Sequence, residues 1–315
     1  MRQDIMTYYA VFDIGGTSVK HAVIDEQGNF HSENKMQTPK PGNDEIYKIL
    51  TDQIEQDKIN YKVKGVALSV PGAVDIHTGH VYYTGSVMDF MGQNMKEKLA
   101  SVGLPIECEN DAHCAALAEK WQGNAIDVNN FICITVGTGI GGALFLNGDI
   151  YRGKRGMAGE VGLMMLHNPS YTLPEQLANV IHTETLSRLG STWNLLDRLR
   201  KKNIHVTGQE VFKLYEAQHK DVRKELDALY NALAVGICNI AHSIAPEKII
   251  IGGGISQQPS FLHPIKDRVT NIAPTLLEWM ELEHCRFYNQ AGLVGALYHF
   301  LKMQAKLPTI NDFQI

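Results

Sequence analysis

No apolar run in this 315-residue chain approaches the length of a membrane span, and its first residues lack the basic and apolar regions of a secretory signal. Cysteine is scarce: Cys108, Cys114, Cys133, Cys238 and Cys285 are scattered, odd in number and without a close pair. That excludes a disulfide framework and leaves buried thiols in a reducing cytoplasm as the expectation. Basic residues are outnumbered, with 29 Lys and Arg against 34 Asp and Glu. The one basic cluster, Arg198 to Lys202, reads as a solvated helix end, so no stripe exists that could neutralise a nucleic-acid backbone. The Gly-x-x-x-x-Gly-Lys-Ser/Thr pattern is missing, as are low-complexity segments and long linkers. A chain of this length is too long for one small core and fits two lobes of ordinary size.

What the chain does have is a glycine turn used three times. Phe12-Asp13-Ile14-Gly15-Gly16-Thr17-Ser18-Val19-Lys20 ends one β-like run in an acid, turns, and leaves as a second run. Glycine lacks Cβ, so such a turn can take positive φ and bring backbone N–H groups close to a bound anion. The acid beside the anion makes sense if Mg²⁺ sits between them, since magnesium prefers a carboxylate plus phosphate oxygens. Ile134-Thr135-Val136-Gly137-Thr138-Gly139-Ile140 repeats the pattern, and Ile251-Gly252-Gly253-Gly254-Ile255-Ser256 closes a third strand. One such turn is commonplace. Three of them, with the first two leading into further β where a dinucleotide fold would have a helix, predict a nucleotide clamped between two related halves.

The remaining elements follow from patterning. Residues 8–13, 19–25 and 29–37 read as a meander, followed by a helix over 44–57 and strands over 63–70 and 105–109. Asp111 opens a helix through Trp121 whose Ala112, Ala115 and Ala118 offer a narrow face. A second strand–turn–strand unit starts at Asn130, turns at Asn147-Gly148-Asp149, and gives way to mostly helical sequence over 173–245. Leu226, Leu229, Leu233 and Ile237 mark a core-facing helix that stops before Pro246. A strand over 248–252 and a last helix from Gly292 complete the chain.

The three glycine turns resemble the two phosphate motifs and the adenosine motif of the actin-like sugar kinases. Ala158-Gly159-Glu160-Val161-Gly162 and Glu109-Asn110-Asp111-Ala112 narrow the resemblance to the ROK family (repressors, open reading frames, kinases), and it runs from about Tyr8 to about Leu301. It implies an α/β fold of two actin-like, ribonuclease H-like lobes with mixed sheets and an interlobe cleft. The lobes would be residues 1–117, completed by a helix over about 291–315, and residues 118–290. ATP would lie on Asp13, Gly15, Gly16, Thr17, Lys20, Thr138, Gly139, Gly253 and Gly254, with Mg²⁺ near Asp13 held through phosphates or water. Asp111 matches the family's general base, although Asp at a helix start is also a favoured N-cap. Gly72, Asn110, Glu160 and Glu175 match sugar-binding positions, and Phe90 falls where an aromatic often lies near the sugar loop. For Glu160 the flanking glycines would leave room for a ligand; Glu175 could equally be a first-turn acid favoured by the helix dipole.

One departure from the family bears on substrate. Most members follow the Ala-Gly-Glu-x-Gly segment with a histidine and a cysteine-rich zinc loop, but here Leu163 follows Gly162. No cysteine lies between Cys133 and Cys238, so His167 alone cannot make a four-ligand zinc site and no structural zinc is expected. Losing a polar contact near C1–C2 of the sugar would admit a glycoside. The expected activity is therefore ATP-dependent phosphorylation of a hexose 6-hydroxyl, on the non-reducing glucose of a β-glucoside such as cellobiose. N-acetylmannosamine kinase and glucokinase are the alternatives. A ROK repressor would carry a helix–turn–helix ahead of the same core; fewer than ten residues precede the first strand here, and the net charge is −5. A cytoplasmic homodimer without nucleic-acid or membrane partners is expected.

Overall fold

The computed structural model describes residues 6–166 and 182–305. They pack into two compact units: one comprises Met1–Gln122, Arg152–Ala158 and Gln290–Ile315, the other Gly123–Tyr151 and Gly159–Asn289. The chain thus leaves the second unit after Tyr151, lends seven residues to the first, and resumes the second at Gly159.

The first unit is built on a five-stranded sheet. Strands β1 (Tyr8–Ile14), β2 (Ser18–Asp25) and β3 (Phe30–Gln37) form the expected meander. Strands β4 (Val66–Val70) and β7 (Ile106–Asn110) then add in parallel, giving the order β3-β2-β1-β4-β7. A small hairpin, β5 (Ala73–Val74) with β6 (Val81–Tyr83), stands apart from the sheet. The helix Glu45–Asn60 covers one face by burying Ile46, Leu50 and Ile54, one per turn. Asp44 does not cap it but sits in the left-handed region at φ 52°, so the helix starts one residue later than expected. The other face takes the helices Asp111–Gln122 and Ala291–Met303. The first of these runs unbroken past residue 117. Its alanines Ala112, Ala115 and Ala118 are buried, and a side chain at Gly295 would overlap the carbonyl of Cys114. Small residues on both helices permit that approach, and Trp121 stacks on Tyr298 beside it.

The second unit repeats the plan. Strands β8 (Phe131–Val136), β9 (Ile140–Leu146) and β10 (Asp149–Ile150) run antiparallel. Then β11 (Lys248–Gly252) and β12 (Glu281–His284) add in parallel, in the order β10-β9-β8-β11-β12. Asn147 at φ 55° and Gly148 at φ 84° make the β9–β10 turn, as the Asn-Gly pair predicts. The helix Lys220–Ile244 buries Leu226, Leu229, Leu233 and Ile237 in the largest cluster of the core. The helices Leu186–Gly190, Thr192–Arg200 and Gly208–Glu216 precede it.

The shared topology gives each loop a counterpart. The β1–β2 turn holds Gly15 and Gly16, and the β8–β9 turn holds Gly137 and Gly139. Strand β4 runs into Gly72 at φ 101°, and β11 runs into Gly253 at φ 93°. Gly72 is therefore the first unit's equivalent of the adenosine-type turn.

Candidate active site

The first phosphate-type loop is organised around Asp13. Strand register places Lys20 opposite it on β2 and Ser69 opposite it on β4. Lys20 Nζ donates to Oδ2 at 2.8 Å and Ser69 Oγ to Oδ1 at 2.8 Å, so both carboxylate oxygens are held. A Cβ at Gly292 would overlap the same carboxylate, which therefore lies against the N-terminal turn of the helix Ala291–Met303. The partial positive charge of that helix end favours the carboxylate there. Beyond Asp13 the chain is braced by Thr38, whose hydroxyl donates to the Gly15 carbonyl at 2.6 Å and whose N–H donates to Thr17 at 3.2 Å. Gly16 and Thr17 are exposed. Neither Gly15 nor Gly16 takes positive φ, contrary to the sequence expectation. Gly16 is required by proximity instead: a Cβ would lie 2.9 Å from that of Ser86.

In the second unit, the Gly137 N–H donates to Gly139 at 2.9 Å, closing the β8–β9 turn. Ser187 Oγ accepts from Ile140 N at 3.0 Å, and Trp193 N donates to the Gly137 carbonyl at 3.3 Å. Thr138 and Gly139 remain exposed. A side chain at Gly253 would overlap the Val136 carbonyl, so the turns after β8 and β11 touch. Gly254 differs: only Asn289 Oδ1, at 4.0 Å, would meet a Cβ there.

The end of β7 carries the candidate base. Asn110 is buried, and its Oδ1 accepts the His113 N–H at 3.0 Å while its Nδ2 donates to the Gly72 carbonyl at 2.9 Å. Asn110 is therefore the N-cap of the helix, and it ties the strand end to Gly72. Asp111, exposed at the first helical position, accepts the adjacent Ala112 N–H at 2.9 Å. The cap that Asp111 would otherwise supply is already filled.

The ROK family pattern matches residues 8–303. The chain belongs to the ROK family. It is 35% identical over 300 residues to the β-glucoside kinase of Listeria monocytogenes, covering 93% of this chain and 97% of that one. Among solved structures, the Lmo2764 protein of Listeria monocytogenes, provisionally named an N-acetylmannosamine kinase, superposes with a TM-score of 0.83 at 33% identity, over 95% of this chain and all of that one. A ROK family protein from Streptococcus pneumoniae in complex with sucrose superposes at 0.81 and 30% identity, over 96% and 100% of the two chains.

Other family-matched positions fall out differently from expectation. Glu160 precedes a single 3-10 turn, Val161–Leu163, in which Leu163 is exposed. Its flanking glycines serve close packing. They pack on β9, where a Cβ at Gly159 would lie 2.7 Å from the Gly142 carbonyl and one at Gly162 would overlap that of Ile140. Phe90 is fully buried against Tyr47, with ring centroids 5.6 Å apart, so it belongs to the core and faces no sugar. Glu175 and His167 lie outside the described residues, as does most of the segment in which zinc ligands were sought. Among the described residues no group of three His, Cys, Asp or Glu could hold a metal ion.

Sequence reasoning missed Glu109. All five residues of β7 are buried, and Glu109 is fully so. Its Oε1 accepts the Asn110 N–H at 2.9 Å and pairs with His113 Nδ1 at 2.9 Å. Its Oε2 receives Arg152 Nε at 3.0 Å and Nη2 at 2.5 Å, with His299 Nδ1 3.7 Å away. Burial by itself would raise its pKa, but His113, His299 and Arg152 hold it well below the ordinary carboxylate range. Burial pushes the His299 imidazole down to about 4, against the pull of Glu109. Glu107 and Glu109 alternate with Ile106 and Cys108 as the exposed residues of a strand would, so no local signal marked Glu109 as buried.

Proposed function

We propose that this ROK protein is an ATP-dependent sugar kinase acting on a hexose 6-hydroxyl, with the non-reducing glucose of a β-glucoside as substrate. The observation that carries the reading is the division of labour at the end of β7: Asn110 caps the helix, and Asp111 is exposed beside it. Phosphoryl transfer to an alcohol needs a carboxylate to accept the hydroxyl proton; alignment and charge stabilisation do most of the rest. In this reading Asp111 takes the 6-hydroxyl proton as that oxygen attacks the γ-phosphorus, and ADP leaves. Asn110, Gly72, Glu160 and Glu175 bind the sugar, Asn110 also holding the Gly72 turn in place.

The turns at Gly15–Thr17 and Thr138–Gly139, with Gly253 and Gly254, would bind the nucleotide. Asp13 fits a magnesium-bound phosphate, since one carboxylate is the usual protein contribution and phosphates and water supply the rest. Lys20, already on Asp13, adds positive charge beside that group. The resemblance further supports a cytoplasmic homodimer, which light scattering would test. No helix among the described residues is long and apolar enough to cross a membrane.

Leu163 supports the glycoside over the free sugar, because a hydroxyl near C1 finds no polar partner in a leucine while a glycosidic substituent loses nothing. The second reading, N-acetylmannosamine kinase, gives Leu163 the acetamido methyl to pack and draws on the Lmo2764 likeness. A coupled ATP-consumption assay across cellobiose, gentiobiose, glucose, fructose and N-acetylmannosamine decides between them. A kcat/KM for cellobiose or an aryl β-glucoside at or above that for glucose supports the first reading; far faster turnover of N-acetylmannosamine replaces it with the second.

A further inference from the structure

Arg152 is a surprising partner for Glu109, because it arrives from a segment 43 residues further along the chain. That segment, Arg152–Ala158, is the one lent to the first unit, and it closes on itself where the Ala158 N–H donates to the Arg152 carbonyl at 3.0 Å. At its far side, Gly156 at φ 74° lies against the backbone of Val74, with a Cβ there only 3.1 Å from the Val74 carbonyl. Val74 belongs to β5, which directly follows Gly72, and Gly72 is bonded to Asn110. The contacts therefore form a closed ring: Glu109, Asn110, Gly72, Val74, Gly156, Arg152 and back to Glu109. Within it the carboxylate divides its work. One oxygen holds the N–H of the site residue Asn110, and the other takes both Arg152 donors.

We infer that Arg152 is a positioning residue for Asp111: through buried Glu109 it closes the ring that sets the Asn110–Asp111 step against the Gly72 turn. The inference rests on the sugar-kinase reading of Asp111. A buried ion pair adds little net stability over apolar packing of the same volume, so stability alone does not account for charge at this place. Geometry does, because a base displaced by about 1 Å can lose on the order of 10²-fold in rate. Arginine suits the role better than lysine, since its planar group sends two donors to one oxygen from a fixed direction.

The test is steady-state kinetics of the full chain carrying Arg152→Ala, with Asp111→Asn in parallel and free guanidinium ion as the rescuing probe. The expected result for Arg152→Ala is a kcat about 10–100-fold lower, with KM for ATP changed by less than about twofold. Millimolar guanidinium should recover much of that kcat. A merely structural lesion is not restored, because millimolar guanidinium replaces only a missing guanidinium group and acts on fold stability only toward molar concentration. Should Arg152→Ala not fold, Arg152→Lys keeps a charge on Glu109 without the fixed fork and should show the same kcat-selective loss, smaller in size. Near wild-type kcat in the folded variant, or a loss that guanidinium does not restore, overturns the inference while Asp111→Asn still reports on the base. If wild-type protein phosphorylates no sugar, the kinase reading falls first and this inference with it.

Discussion

Asp111→Asn keeps the size of the side chain and leaves the Asn110 cap untouched, so the fold should survive while the proton acceptor is lost. We expect kcat to fall by about 10²–10⁴-fold with sugar binding largely retained. Wild-type-like turnover by the folded variant would remove Asp111 from its role. The group behind it sets an acid limit on stability. His299 is buried with its pKa lowered to about 4, whereas an unfolded histidine titrates near 6.5. The unfolded chain therefore binds the extra proton first, and stability is complete above pH 6.5 and lost as pH falls toward 4. That loss amounts to about 3 kcal/mol for this group. The lowered pKa of Glu109 acts in the same direction at still lower pH. Melting temperature against pH should accordingly be flatter for His299→Gln than for wild type between those values. An unchanged slope would assign the acid sensitivity elsewhere. At this scale the sequence offered candidate side chains for the chemistry but not the one that caps: Asn and Asp are both good caps, and only the bond from Asn110 to His113 settles it.

The glycine turns separate two uses of the same residue. Gly253 has positive φ and no space beside Val136, so Gly253→Val should destabilise the second unit by several kcal/mol. Gly254 has ordinary φ and open surroundings, so Gly254→Val should fold normally and weaken ATP binding alone. Thermal melts and nucleotide titrations of the pair check this; unchanged affinity in folded Gly254→Val would contradict the nucleotide placement. The closing helix behaves like Gly253. Gly295 packs on the Cys114 carbonyl, so even Gly295→Ala should cost about 1–3 kcal/mol in denaturant unfolding despite alanine's better helix propensity. Strands, turns and helix faces were legible because apolar periodicity and Asn-Gly turns are local signals. The glycines of Ala158–Gly162 were not, since room for a ligand and room for β9 look alike in sequence.

At the level of the molecule, the ligand count in sequence and the departure at Leu163 meet in one measurable property. With one histidine and no cysteine in residues 163–179, protein purified without a metal-binding tag should contain well under one zinc per chain by elemental analysis. One tightly held zinc would mean that distant residues converge on it. The duplicated sheet order shows why the repeated glycine turn was a sound guide: equal topology puts equal turns at the ends of β1 and β8, and of β4 and β11.

The sequence by itself determined the strand–turn–strand repeats, the core-facing helices and the residue types at each loop, because hydrophobic period and turn chemistry act over a few neighbours. Tertiary structure alone decided three things. It assigned the cap to Asn110, withdrew Phe90 into the core, and brought Arg152 and His299 onto Glu109. Each depends on burial and on contacts between residues far apart in the chain. A carboxylate within a strand looks the same in sequence whether it faces water or a buried guanidinium, and only the fold supplies its partner.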